Sequence, residues 1–188
     1  MRLHSPRIAP LTLADCDAAQ RKVLDPFAQR NQLLNIYTTL AHNPDALSAF
    51  LAWGGYVLRR SSLQPREREL VILRIGYLCR AGYEWAQHSR LGKQAGLGDD
   101  ELARIKIGPI AEWSEPDRAL LLAADELHRD YFVSDDTWKK LRGFLSDTQC
   151  MDLVFVVAHY TQVCMILNTF GIQLDAGLVA DPDLIVIG

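Results

Sequence analysis

One segment of the sequence places ionisable side chains where burial is unfavourable. Glu69, Glu84 and His88 lie among long apolar side chains, and a polar group in such surroundings needs a partner or a function. Glu84 and His88 are four residues apart, so on a helix they share one face. A carboxylate and an imidazole held together can act as a general acid and base. This segment is therefore the first candidate for an active site.

Residues 66 to 97 also resemble a known family. The run Arg-Glu-Arg-Glu-Leu-Val-Ile-Leu-Arg, with Tyr-Glu-Trp-Ala-Gln-His and Gln-Ala-Gly-Leu after it, resembles the core of the carboxymuconolactone decarboxylase family, within the alkylhydroperoxidase-D-like superfamily. The resemblance extends through residues 34 to 44 and 167 to 174, so it covers most of the chain. It implies an all-α, multi-helix bundle that assembles into trimers or hexamers with pockets near the subunit contacts.

The resemblance also assigns positions to the three ionisable residues. In the peroxidase branch of the superfamily, a glutamate is followed by a Cys-x-x-Cys pair and by a histidine four residues after the second cysteine. Counted back from His88, the glutamate of the proton relay falls on Glu69, the second cysteine on Glu84 and the first on Ala81. Both redox sulfurs are therefore absent, and Cys79 has no second thiol at the required spacing.

We expect a cofactor-free enzyme in which His88 is the acid or base and Glu84 and Glu69 tune it. A carboxylate cannot take part in dithiol redox cycling, but it can accept or donate a proton. The family's decarboxylases act on a carboxylated lactone of aromatic catabolism, which implies a small organic acid or lactone as the substrate here. Arg74 and Arg80 could hold a substrate carboxylate, although solvent-facing salt bridges are the simpler interpretation.

Two other functions stay open at this level. The chain could be a peroxidase with peroxiredoxin-type activity that uses Cys79 alone with an external thiol. It could also be a non-enzymatic ligand-binding or assembly protein that keeps the family scaffold. Two carboxylates and a histidine could supply three metal ligands, but no second histidine is near in sequence and the resemblance implies no metal. We therefore expect no metal and no other cofactor.

Further polar and aromatic residues are candidates for the wall of a pocket. We expect Tyr83, Trp85 and Cys79 to contact the substrate, although an aromatic residue beside a helix start is more often part of the core. Five polar residues on otherwise apolar helices form a second group of candidates: Tyr37, His42, His159, Tyr160 and Asn168. For His159 and Tyr160, hydrogen bonding to buried polar atoms is the simpler interpretation.

Helices must position these residues. Helix-breaking and helix-capping residues predict helices along the whole chain. They cover residues 15–27, 33–43, 44–60, 65–79, 83–95, a short helix from 99, 114–131, 134–144 and 148–170. The helix that begins at Pro65 is apolar almost all round, which predicts a central position. The break at residues 80–82 places Glu84 in the first turn of the next helix. Gly54 and Gly55 within a helix indicate close packing.

Composition and charge narrow the class of protein. A chain of 188 residues with 49% hydrophobic content favours a single domain, residues 1–188, with an extended arm over 1–13 and a tail over 175–188. The net charge of -3, with basic residues interspersed among acids, argues against a nucleic-acid partner. Because no signal region is present and no run approaches the length of a bilayer span, we expect a cytoplasmic protein without a membrane partner. Four irregularly spaced cysteines fit a reducing compartment.

Two features bear on assembly and on duplication. The tail from residue 171 to 188 has a strand-like texture, above all at 184–187, and we expect it to pack on a neighbouring subunit. A homo-oligomer and a small-molecule substrate are therefore the predicted partners.

A shift of the sequence by 83 positions places Leu70 on Leu153, Val71 on Val154 and Tyr77 on Tyr160. Two apolar helices often match this well by chance, so the pattern only hints at an internal duplication.

Overall fold

The computed structural model describes residues 2–185. Within this range the chain forms nine α-helices: α1 Ala18–Ala28, α2 Asn35–Leu40, α3 Pro44–Arg59, α4 Pro65–Leu78, α5 Gly82–Gln94, α6 Asp99–Ile107, α7 Glu115–Asp130, α8 Asp135–Leu141 and α9 Asp147–Phe170. Short 3-10 helices cover Leu13–Asp15 and Pro182–Leu184, and no strand occurs in the described range. The predicted all-α fold is confirmed.

Local sequence signals explain where most helices begin and end. The side chains of Ser114 and Ser146 accept hydrogen bonds from backbone N–H groups in the first turns of α7 and α9. Gly171 ends α9 in the left-handed region, at φ 69°. The helix predicted from residue 15 instead begins at Ala18, because Asp17 forms a reciprocal capping box with the third residue of α1.

Helix α4 lies at the centre of the bundle. It packs against α5, α7 and α9, and its residues from Glu69 to Gly76 are all buried. The central position predicted from its apolar surface is therefore confirmed. The close packing predicted at the glycines of α3 is confirmed at Gly54, where an added Cβ would lie 3.0 Å from Nε2 of His159 on α9.

Arg74 connects α4 to α6 and α7 and does not face a pocket. Its Nε and Nη2 donate to the carboxylate of Asp125 over 2.6 and 2.8 Å. Its Nη1 donates to the carbonyl oxygens of Ile105 and Lys106 over 2.8 and 3.0 Å. The suggestion that Arg74 holds a substrate carboxylate is therefore wrong, because the guanidinium is buried and each of its nitrogens already donates to a protein oxygen. Arg80 is exposed in the turn between α4 and α5, with φ 52°.

The expectation that no apolar segment approaches the length of a bilayer span is wrong for helix α9. Its 24 residues include a window of mean hydropathy 1.7, and in the described part of the chain it is the one helix long and apolar enough to cross a membrane. Of that window, 56% is buried inside the fold, where α9 packs against α3, α4, α5 and α7. Its apolar character is therefore that of a core helix.

Both terminal segments pack on the chain itself. In the N-terminal arm, the backbone N–H groups of Arg7 and Ile8 donate to the carbonyl oxygen of Phe170 over 2.8 and 3.3 Å. In the tail, Leu184 is buried in the main core and belongs to a 3-10 helix. The strand-like pattern at Leu184 therefore does not form a strand, and for this residue the expected packing on a neighbouring subunit is wrong because it is buried in the core of its own chain. The rest of the apolar run, residues 186 and 187, lies outside the described residues.

Candidate active site

The turn at residues 79–81 folds α5 back onto α4 and brings three ionisable residues together. Nδ1 of His88 lies 2.7 Å from Oε2 of Glu69, and its Nε2 lies 2.9 Å from Oε1 of Glu84. The exposed fractions of Glu69, Glu84 and His88 are only 2%, 3% and 6%. Two carboxylates and one imidazole therefore form a buried triad.

The two carboxylates hold the imidazole in different ways. Nδ1 of His88 forms a directed hydrogen bond with Glu69. Its Nε2 is within ion-pairing distance of Glu84, but this contact lacks hydrogen-bond geometry, and Oε1 of Glu84 has no directed partner among residues 2–185. Glu84 therefore acts on the ring mainly through its charge.

The charges around His88 determine its protonation. Burial alone would lower the pKa of His88, but the negative charge of Glu84 and the hydrogen bond with Glu69 raise it from 6.5 to about 10. His88 is therefore an imidazolium at neutral pH and has no lone pair, so in the resting state it is a proton donor. In the described chain no group of three or more His, Cys, Asp or Glu residues is arranged to hold a metal ion.

A cavity of about 200 Å³ lies beside the triad. Helices α1, α2, α3, α5 and α9 all contribute to its wall, which carries apolar side chains including Ile36, Phe50, Leu51, Leu91 and Val163. Glu84 and His88 line it, whereas Glu69 lies behind the imidazole and does not. A concave apolar site with a few polar groups is typical of small-molecule binding.

Arg59 is a lining residue that the sequence reasoning missed. It is exposed at the end of α3 and forms no ion pair with a carboxylate in the described part of the chain. An added Cβ at Gly55 would lie 2.8 Å from Nη2 of Arg59, so the glycine leaves room for this side chain. The signal in the sequence that could have identified Arg59 was its spacing of four residues from Gly55, which places the two on one face of the helix. A guanidinium in this position suits an anionic group on a ligand.

Tyr83 lines the cavity and is oriented by a residue far away in sequence. Its hydroxyl donates to Oδ2 of Asp175, to which Nε2 of Gln87 also donates over 2.7 Å. The other oxygen of Asp175 accepts from the backbone N–H of Asn35 over 2.7 Å. Burial and the hydrogen bond to Asp175 raise the pKa of Tyr83, so its hydroxyl stays protonated. Helical spacing from Glu84 could have identified Gln87, whereas Asp175 carries no local signal.

Trp85 and Cys79 do not line this cavity, contrary to the expectation from sequence. Trp85 follows Glu84 directly and so points about 100° further around the helix. It is buried on that side, with Nζ of Lys106 5.4 Å from its ring centre. Cys79 is half-buried at the end of α4, with its Sγ 3.8 Å from Nδ1 of His128. A hydrogen bond from Cys164 lowers the pKa of Cys79 in spite of burial.

The five residues of the second group of candidates also divide into those that line the cavity and those that do not. Three of these residues line the cavity, namely Tyr37, His159 and Tyr160. Nε2 of His42 instead lies 2.9 Å from the carbonyl oxygen of Ala9 in the N-terminal arm. Nδ2 of Asn168 donates over 2.9 Å to the carbonyl oxygen of Cys79, where it caps the turn after α4. His42 and Asn168 therefore have structural roles.

Comparison with known proteins supports the family resemblance. Residues 44–126 match the sequence profile of the carboxymuconolactone decarboxylase family. This segment runs from α3 into α7 and contains the whole triad, so the recognised family resemblance is confirmed. No curated protein matches the sequence at a significant level.

Several solved structures share the fold. An uncharacterised peroxidase-related protein from Ralstonia eutropha JMP134, described as an alkylhydroperoxidase AhpD core, is 20% identical, with a TM-score of 0.78 over 93% of this chain and 95% of that chain. A peroxidase-related protein from Silicibacter sp. TM1040 is 15% identical, with a TM-score of 0.77 over the same shares. The debrominase Bmp8, in complex with 2,3,4-tribromopyrrole, is 16% identical, with a TM-score of 0.71 over 92% of this chain and 94% of that chain. At these identities the likeness shows an alkylhydroperoxidase-D-like fold.

Proposed function

We propose that this protein is a cofactor-free, lyase-like enzyme that uses acid–base chemistry on a small organic acid or lactone. One observation carries the proposal: the two ring nitrogens of buried His88 lie 2.7 and 2.9 Å from carboxylate oxygens beside a cavity. The triad therefore stores a proton where a small molecule can reach it. The family match over residues 44–126 supports an enzymatic function.

His88 is the proton donor in this proposal. In a decarboxylation, the bond between the substrate and its carboxylate carbon breaks and its electron pair stays on the substrate. A new C–H bond then forms with the proton from Nε2 of His88, and carbon dioxide leaves. The neutral ring keeps its Nδ1–H hydrogen bond with Glu69. Glu69 is therefore a positioning residue that holds the imidazole in the tautomer with a free Nε2 lone pair.

Glu84 is the second catalytic residue of the proposal. Its negative charge is the main influence that keeps the proton on His88 against burial. It lines the cavity, and its Oε1 lies 2.9 Å from Nε2 of His88. After turnover, this carboxylate can accept a proton from solvent or from the next substrate and return it to the imidazole. The site thereby regains its starting state without any other reagent.

Turnover in D2O tests the proposal. We expect wild-type protein to convert one member of a panel of carboxylated lactones and small organic acids, with one solvent deuteron in the product by mass spectrometry. His88→Asn and Glu84→Gln should lose this activity and keep their helical circular dichroism. Glu112→Gln, at an exposed acid outside the cavity, is the matched control. Wild-type rates in both triad variants would overturn the proposal, whereas turnover that requires His88 would exclude a purely ligand-binding protein.

A second candidate function rests on Cys79. The hydrogen bond from Cys164 lowers the pKa of Cys79, which favours the thiolate that attacks peroxides. Consumption of a hydroperoxide in the presence of an external thiol tests this alternative. Peroxidase activity that disappears in Cys79→Ser would support it, and equal rates in both proteins would end it.

A further inference from the structure

A second histidine in the cavity, His159, has no part in the triad. It lies on α9 with only 5% of its surface exposed, and the rings of Phe50 and Tyr160 each lie 5.3 Å from its centre. Among residues 2–185, neither ring nitrogen forms a hydrogen bond, and Nδ1 is completely buried. Buried polar atoms without partners are rare in native proteins and require an explanation.

The protonation of His159 is opposite to that of His88. Burial, and secondly the positive charge on His88, lower the pKa of His159 to about 4. At neutral pH its ring therefore has one N–H group and one nitrogen lone pair. Nδ1 is completely buried, so Nε2 is the ring nitrogen that a ligand in the cavity can reach. In the tautomer with the ring proton on Nδ1, Nε2 is an acceptor, and its complement on a ligand is a hydrogen-bond donor.

The packing of α3 against α9 brings His159 to the cavity wall. An added Cβ at Gly54 would lie 3.0 Å from Nε2 and 3.4 Å from Cε1 of His159, so the missing side chain is what allows this close approach. Gly54 and His159 both line the cavity, together with the aromatic residues Phe50 and Tyr160. The imidazole therefore lies on a part of the wall formed by a glycine and two aromatic rings.

We infer that His159 is a ligand-binding residue that accepts a hydrogen bond from a hydroxyl group carried on an aromatic ring. The hydroxyl supplies the donor that the lone pair needs, and the ring packs against the aromatic wall. This inference rests on the proposed function in that it describes a substrate class for the same cavity. A methyl ether of the same ring has no donor and leaves the acceptor unpaired, so it should bind more weakly.

Binding of two matched probes tests the inference without any need for turnover. para-Cresol and para-methylanisole share a ring and differ in the donor, and their affinities can be measured by NMR titration of protein labelled with 15N in its histidines. We expect wild-type protein to bind para-cresol about tenfold more tightly and its unprotonated His159 nitrogen signal to shift only with that probe. His159→Phe keeps a flat ring and should bind both probes with similar affinity.

The outcomes separate this inference from the proposed function. Equal affinity of wild-type protein for the two probes would overturn it, as would failure of para-cresol to bind, or a preference that persists in His159→Phe. Absence of the expected turnover in wild-type protein, with its para-cresol preference intact, would refute only the acid–base enzyme. The ligand-binding role of His159 would then stand on the titration alone.

Discussion

His88 and His159 occupy one cavity in opposite protonation states. The pKa of His88 is raised to about 10 because its two carboxylate partners outweigh burial, whereas burial and the charge on His88 lower the pKa of His159 to about 4. The ring of Tyr160 contacts both, with centroid distances of 4.9 and 5.3 Å. The cavity therefore presents a proton donor and a lone-pair acceptor at the same pH.

Glu84→Gln should separate charge from shape in the triad. The amide has nearly the same volume but no negative charge, so the pKa of His88 should fall, and kcat on the substrate should fall by about 10²–10⁴-fold. Steady-state kinetics and the histidine 15N signals measure the two effects. Glu112→Gln should change neither. A fall in kcat with an unchanged pKa of His88 would contradict the proposed role of Glu84.

The charge on His88 should make stability depend on pH in a defined direction. The pKa of His88 is raised from 6.5 to about 10 in the folded state, so its contribution is fully present below pH 6.5 and is lost as the pH rises towards 10. We expect the difference in free energy of unfolding between wild type and His88→Gln to decrease over this interval, as measured by urea denaturation. A difference that stays constant would show that His88 is neutral in the folded protein.

Arg59→Gln should weaken substrate binding more than it slows chemistry. The guanidinium lines the cavity and is exposed, whereas the triad is buried, so it is suited to hold an anionic group of the substrate. We expect KM to rise about tenfold with little change in kcat. The neighbouring Arg60, which stacks over Tyr56 outside the cavity, gives the matched control Arg60→Gln. Equal KM values for the two variants would remove Arg59 from the binding site.

Gly54→Ala should impair ligand binding without unfolding the protein. The new methyl group would lie 3.0 Å from Nε2 of His159, so the imidazole must move. Alanine is the better helix former by up to about 1 kcal/mol, which offsets part of this strain. We expect a melting temperature close to that of wild type and a loss of the preference for para-cresol over its methyl ether. Unchanged probe affinities would show that the position of His159 does not matter for binding.

Arg74 should be important for stability. Arg74→Met leaves the carboxylate of Asp125 and two backbone carbonyls without their donor, which should lower the free energy of unfolding by about 3–5 kcal/mol. Arg129→Gln breaks an exposed pair with Asp130 and should leave the free energy of unfolding almost unchanged. Urea denaturation of both variants checks the contrast. Similar values would show that the buried pair is not a major structural contact.

Local physics in the sequence was sufficient to predict the helices and the pairing of Glu84 with His88. Pro65 begins α4, Gly171 ends α9, and the spacing of four residues places Glu84 and His88 on one face, all as expected. These features depend on neighbours within a few turns of helix, because capping and periodicity are properties of adjacent residues. The position of Glu69 came from the family resemblance.

The remainder of the site was decided by long-range packing. Arg59 and His159 come from α3 and α9, and Asp175 from the segment after α9, so they meet α5 only in the folded chain. Trp85, one residue from Glu84, packs on the other side of α5. The sequence determined which helices form and which faces are apolar. Only the tertiary structure decided which face meets which, because apolar burial is non-directional and several pairings of helices satisfy the same pattern.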